Sequence, residues 1–129
     1  MAIKLNHYTR SAIVNLMNTN FDRLRVYSGT SPASADDEAT GDLLTLITGI
    51  DWVTANHGTA ALLAPPYFGN DEAAGTAGYA RLGETTAVYY IQGSVGTAAT
   101  CDFVISQEIF TGGYSSVTLT AATIIQPEE

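Results

Sequence analysis

The chain has 129 residues, enough for one domain with a real core, and a formal net charge of −8 from 13 acidic and five basic residues. This acidic balance argues against nucleic-acid binding, which depends on many lysine and arginine contacts to phosphate. A single cysteine excludes an internal disulfide framework. No apolar run approaches the length of a spanning helix and no signal-peptide layout is present, so we expect a protein made in the cytoplasm without a membrane partner.

The N-terminal region predicts the one helix of the chain. Between residues 9 and 20, apolar side chains recur at i, i+3 and i+4, as on one face of an amphipathic helix. Such a stripe normally packs on the protein's own core, and external docking is the alternative. Four of the five bases lie in the first 25 residues, and they are either solvated or form a basic end that docks on an acidic partner: Lys4, Arg10, Arg23 and Arg25.

The rest of the chain predicts short strands separated by glycine-rich gaps. "RLRVY" (23–27) alternates apolar and polar residues, with Leu24 and Val26 opposite the arginines. The segment "YFGNDEAAGTAG" (67–78) is interpreted as a loop. One helix and seven or eight strands predict a mainly β fold, a single antiparallel β-sandwich or small barrel (jelly-roll-like), over residues 1–129 with a frayed tail at 126–129. Further strands are predicted in "LLTLIT", "GTAALLAPP", "GYARL", "TAVYYIQGSV", "TCDFVIS" and "YSSVTLTAATII".

A long polar insert separates the first two strands. Gly29 can turn the chain out of the first strand, Pro32 blocks further ladder pairing, and Gly41 can lead the chain back. The acidic residues of the insert miss the spacing of an EF-hand loop, which leaves a loose calcium site as the alternative to a solvated connection. These acids are Asp36, Asp37, Glu38 and Asp42.

Few residues in the sequence suggest catalysis or cofactor binding. His7 and His57 lie far apart, and neither has a metal-ligand spacing beside it. Cys101 falls within a strand pattern, where a cysteine is most often a buried small apolar residue. No P-loop, dinucleotide fingerprint or nucleophile elbow is present. We therefore expect no catalytic residue, no cofactor and no metal.

Four segments together share a pattern with one known class of protein. "LRVYSGTSPASADDEATGDLLTLI" (24–47) is similar to a strand followed by a "Y-x-G-T-x-P-A-x-A-D" loop and a returning strand. "GTAGYARL" (75–82), "IQGSVGTAATCDFVIS" (91–106) and "FTGGYSSVTLT" (110–120) are similar to later strands and turns of the same proteins. The chain thus resembles the small virion structural proteins of tailed bacteriophages. It departs from them in Tyr79, where tryptophan is common, and in the acidity of the insert.

The resemblance implies a capsid decoration or cement protein that binds the assembled head shell without catalysis. Its partner would be the major capsid protein or another virion protein, and its location the virion. The resemblance also implies a homo-oligomer, with a trimer ahead of a dimer. Within this picture we expect the basic end to face the virion and the acidic 36–42 loop to face away.

Other functions stay open beside capsid decoration. A neck, tail or baseplate component is the alternative among virion proteins. From another class, the rival is a sugar-binding β-sandwich module for receptor attachment, whose aromatic platform would come from Trp52, Tyr67 and Phe68. An enzyme ranks third.

Overall fold

The computed structural model describes residues 6, 8, 9, 12, 21–53, 59–83 and 90–125. The helix predicted over 9–20 lies outside them except at residues 9 and 12, and so do Lys4, Arg10 and the 126–129 tail. Within the described ranges the chain is mainly β, as the sequence predicts. The strands are β1 (Arg23–Ser28), β2 (Leu43–Ile47), β3 (Thr59–Ala61), β4 (Tyr67–Asn70), β5 (Ala74–Gly83), β6 (Tyr90–Gly93), β7 (Val95–Gly96), β8 (Phe103–Ile105), β9 (Ile109–Thr111) and β10 (Ser116–Ile125).

The strands form two sheets, each built around one long strand. In sheet 1 the order is β2-β1-β5-β6, all antiparallel, and β9 pairs with the first part of β5. In sheet 2 the order is β3-β10-β8-β7, and β4 pairs with the first part of β10. The β7–β8 pair is parallel, so sheet 2 is mixed. The long strands β5 and β10 therefore each take different partners along their length.

One hydrophobic core lies between the sheets and gives the fold its sandwich-like character. On β1, Leu24 and Val26 are fully buried while the alternate side chains stay partly exposed, as the period-2 pattern predicts. Since both sheets contribute to the same cluster, neither buries its apolar face without the other. The core includes Leu24, Val26, Leu82, Phe103, Val117 and Leu119.

Two local predictions are wrong. The segment 67–78, interpreted as a loop, contains β4 and the start of β5. Its glycines and asparagine are typical of turns, but β10 supplies four paired positions to β4, and this pairing overrides the local preference. The second error concerns Cys101, which lies before β8 in a turn and is only partly buried.

Candidate functional site

The insert, residues 29–42, leaves and rejoins the sheet through a narrow glycine neck. Gly29 and Gly41 have φ angles of +87° and +73°, so the predicted turns at both ends are present. The Ser28 amide donates to the Asp42 carbonyl at 3.0 Å, and the Asp42 amide donates to Ser28 Oγ at 2.9 Å. A Cβ atom at Gly41 would lie 2.0 Å from the Ser28 carbonyl oxygen. Only glycine fits this position.

The insert folds back over the outer face of sheet 1, the face turned away from the core. Three side chains there hold its backbone; we call them the clamp: Tyr79 and Arg81 on β5 and Gln92 on β6. Tyr79 Oη accepts from the Thr40 amide at 2.7 Å and donates to the Thr40 carbonyl at 2.9 Å. The hydroxyl thus fixes both backbone groups of one insert residue.

The other two clamp residues act as a pair. Arg81 Nη2 donates to the Asp37 carbonyl at 2.6 Å, and Gln92 Nε2 donates to the Pro32 carbonyl at 2.8 Å. Arg81 Nε donates to Gln92 Oε1 at 3.0 Å, which orients the amide of Gln92 toward the insert. The clamp therefore holds the insert at three separate carbonyls, and the insert in turn buries Tyr79 and Arg81 to 1% and 3% exposure.

Aromatic contacts complete the clamp. The rings of Tyr27 and Tyr79 face each other across β1 and β5 with centroids 5.2 Å apart and an interplanar angle of 16°. The Arg81 guanidinium lies 6.0 Å from the Tyr79 ring centroid, at the outer limit for a cation–π contact. The charge of this nearly buried arginine is thus in contact with the Asp37 carbonyl oxygen, the Gln92 amide oxygen and the Tyr79 ring.

The tip of the insert remains open to solvent and acidic. Asp36, Asp37 and Glu38 are exposed, while Asp37 Oδ2 accepts from the Ser34 amide at 3.2 Å in a local turn. Among the residues that the structure describes, no three His, Cys, Asp or Glu side chains are grouped closely enough to hold a metal ion. The insert is thus an exposed acidic loop whose backbone is held by the clamp.

The structure describes two of the four predicted basic residues. Arg23 and Arg25 are half-buried on β1, on the same outer face as the clamp, whereas Lys4 and Arg10 lie outside the described residues. Arg25 stands directly opposite Arg81 in the β1–β5 register. The insert lies on the same face of sheet 1 as Arg25, because Arg81, the neighbour of Arg25, binds the carbonyl of Asp37; which side faces a virion stays a prediction.

A second polar cluster, at Asp71, was not predicted from the sequence. Its carboxylate accepts from the Gly112 amide at 2.7 Å, from the Thr111 amide at 2.9 Å, and from Thr111 Oγ1 and Gln107 Nε2 at 3.3 Å. The Thr111 amide, helped by the other donors, lowers the pKa of Asp71, and burial opposes this shift. The cluster ties β9 and the following turn to the β4–β5 junction, which is a structural role.

The three aromatic candidates for a sugar platform do not share a surface. Trp52 is buried in the core, and its Nε1 donates to the Phe21 carbonyl at 2.7 Å. Tyr67 is partly buried and donates its hydroxyl to the Leu63 carbonyl. Phe68 is exposed. A stacking platform needs several open rings side by side, and these three residues do not supply one.

The described part of the chain contains no helix long and apolar enough to span a membrane. The chain matches no protein-family model, and neither a curated protein nor a solved structure matches it at a significant level.

Proposed function

We propose that this chain is a bacteriophage virion structural protein, of the kind that decorates or cements the capsid head. It acts by binding, with no chemical step and no cofactor. One observation carries the proposal: three of the four segments that resemble such proteins meet in the clamp. Tyr27 comes from the first segment, Tyr79 and Arg81 from the second, and Gln92 from the third.

This convergence gives the resemblance a physical basis. Each segment taken alone is short and rich in glycine and threonine, so each alone is weak support. Gln92 binds the Pro32 carbonyl across 60 positions of sequence, and Arg81 binds the Asp37 carbonyl across 44. Residues that hold one another over such separations are required together by one fold. Of these residues Arg81 belongs to the shared pattern, while Tyr79 stands where tryptophan is common, so it is the meeting of the segments, more than any single side chain, that supports the resemblance.

The clamp also suits a binding role. A loop already held in one conformation loses little conformational entropy when it docks, so more of the contact energy remains as affinity. On a particle many copies bind at the same time, so contacts that are weak individually add up to firm attachment. The partner in this proposal is the major capsid protein or another virion protein, and the location is the capsid surface. The jelly-roll-like sandwich and the N-terminal helix over 9–20 belong to the same proposal.

The test is co-sedimentation of purified protein with particles of the phage that encodes it. Head shells that lack the protein and isolated tails are offered separately at low and high salt. The proposal predicts saturable binding to heads. Binding to tails alone would support a neck, tail or baseplate component instead. Binding to neither, by protein with an intact fold, would contradict a virion role.

A matched variant links the binding to the site. Tyr79→Phe removes the hydroxyl that holds Thr40 and leaves the ring in place, so it loosens the insert without a new charge. We expect weaker head binding by this variant. Tyr114→Phe, at a ring that is 67% exposed and outside the insert, is the control and should bind as the unmodified protein does.

A further inference from the structure

In the described part of the chain, the strands of sheet 2 carry no charged side chain, and we call their outer surface the uncharged face. The five strands of this sheet, β3, β4, β7, β8 and β10, contain no Asp, Glu, Lys or Arg, although the whole chain has 18 such residues and a net charge of −8. The strands of sheet 1 carry three arginines, and the insert that covers them is acidic. Charge is therefore confined to one side of the pair of sheets and to the loops.

A large aromatic side chain projects from this uncharged face. On β4, Tyr67 packs against the core and Gly69 approaches β2, so the alternating Phe68 points outward and is 59% exposed. Its register partner on β10 is Thr118, and the remaining outward positions nearby are small or polar and uncharged. Phe68 is thus an apolar projection on a flat polar surface.

Two open depressions lie on the same face, on either side of β10 at Ala121. One, of about 200 Å³, is lined by Cys101, Val104 and Ala121 among others. The second, of about 190 Å³, is lined by Ala61, Pro65 and Ala121 among others. Asp102 also lines the first depression. Its carboxylate is already bound by the Ser94 amide at 2.9 Å and by Ser94 Oγ at 3.0 Å.

We infer that the uncharged face of sheet 2 binds the same face of a second copy of this chain. Two copies that each carry a net charge of −8 repel each other, and contact through this face adds little to that repulsion, because the one charged side chain described there, Asp102, already accepts from Ser94. Because Phe68 and the depressions share one face, a two-fold axis between them lets each Phe68 enter a depression of the other copy. Interface cores are in general poor in charge and rich in such aromatic anchors.

This inference goes beyond the virion role and does not depend on it, since it concerns isolated protein in solution. Sedimentation equilibrium should give twice the 13.6 kDa chain mass, with a concentration-dependent fall to one chain on dilution. Phe68→Asp should weaken the association by a factor of about 30 or more, the scale of an interface hot spot. Ala121→Glu, which places a carboxylate between the depressions, should do the same and serves as a second variant if the first fails to fold.

Ile109→Asp is the matched control, because Ile109 is 71% exposed but belongs to β9 of sheet 1. Its association should equal that of the unmodified chain. Raising the salt should leave the association unchanged or strengthen it, since screening reduces the repulsion between acidic copies. A single-chain mass at every concentration would overturn the inference, and so would association unaffected by both face variants. Loss of particle binding by Phe68→Asp, with a monomeric unmodified protein, would assign the face to the shell and overturn the copy-to-copy contact.

Discussion

A single hydroxyl holds the insert at Thr40, and its removal is the smallest available change to the clamp. Tyr79→Phe keeps the ring stacked on Tyr27 but deprives the Thr40 amide and carbonyl of their shared partner. Because Thr40 is exposed and water replaces part of the loss, we expect a cost of about 1 kcal/mol in the free energy of unfolding. Hydrogen exchange at the Thr40 amide should become faster. Equal exchange in both proteins would show that the hydroxyl does not order the insert.

Asp71 is a residue through which low pH should reduce the free energy of unfolding. Its pKa is lowered in the folded state, so its contribution is complete above the ordinary value of 3.8 and is lost as the pH falls through the folded value. The Thr111 and Gly112 amides bind different oxygens of Asp71, and Asp71→Asn turns one of these oxygens into an NH2 group that cannot accept, so we expect a lower unfolding midpoint at neutral pH. The gap between the two proteins should close in acid. Urea unfolding over a pH series measures it, and a gap that does not change with pH would contradict this role.

The sequence gives little indication of the roles of Asp71 and Arg81. Asp71 stands in a stretch of turn-forming residues, and its partners lie about 40 positions further along the chain. Arg81 reads as an ordinary strand arginine, because the carbonyl that binds it belongs to the insert, 44 positions earlier. Local patterns report burial on a strand face, but they do not report which distant backbone group a polar side chain will reach.

At the scale of elements, prediction succeeds where a strand carries its own pattern. β1 alternates without interruption, and its two apolar side chains enter the core as expected. β4 has only four residues, two of them turn-formers, and exists because β10 pairs with it. The positive φ angles of Gly29 and Gly41 agree with the expected turns. Docking of the insert on the sheet was not predicted, since it depends on side chains from β5 and β6.

The neck of the insert gives a test of this element by itself. Gly41→Ala combines a positive φ with a Cβ 2.0 Å from the Ser28 carbonyl oxygen. Gly49→Ala is a close match in backbone, with a φ of +70°, but its Cβ would meet nothing within 4 Å. We expect about 1 kcal/mol of destabilisation at Gly49 from backbone conformation, and at least about 2 kcal/mol more at Gly41 from the collision. Chemical denaturation of both variants gives the comparison, and equal losses would mean that the neck is not tightly packed.

For the whole molecule, the two outer faces have different characters. The sheet 1 face carries arginines under an acidic insert, and the described strands of sheet 2 carry no charged side chain. A subunit that pairs through sheet 2 leaves the insert and the sheet 1 face around it available to a shell. This division of roles is consistent with a protein that attaches to a particle in many copies, since each face then meets a different neighbour.

The arginines of β1 provide the electrostatic test of shell binding. Arg23→Glu combined with Arg25→Glu reverses two charges on the sheet 1 face. Exposed pairs contribute about 0.2–1 kcal/mol each, so losing two of them should weaken head binding at low salt roughly two- to thirtyfold. The difference should shrink at high salt, where such contacts are screened. Arg23→Gln with Arg25→Gln should fall between the two. Unchanged binding at low salt, with the fold intact, would leave these arginines as a solvated face.

The most direct measurement is the position of the protein on the particle. On the proposed function a phage encodes the chain, and intact virions of that phage can be labelled with gold-conjugated antibody against this protein and imaged by electron microscopy. The account predicts label spread over the surface of the head, at many positions per particle, and loss of that label from particles grown without the gene. Label confined to the neck, tail or baseplate would contradict a decoration role, and particles free of label would contradict a virion protein altogether.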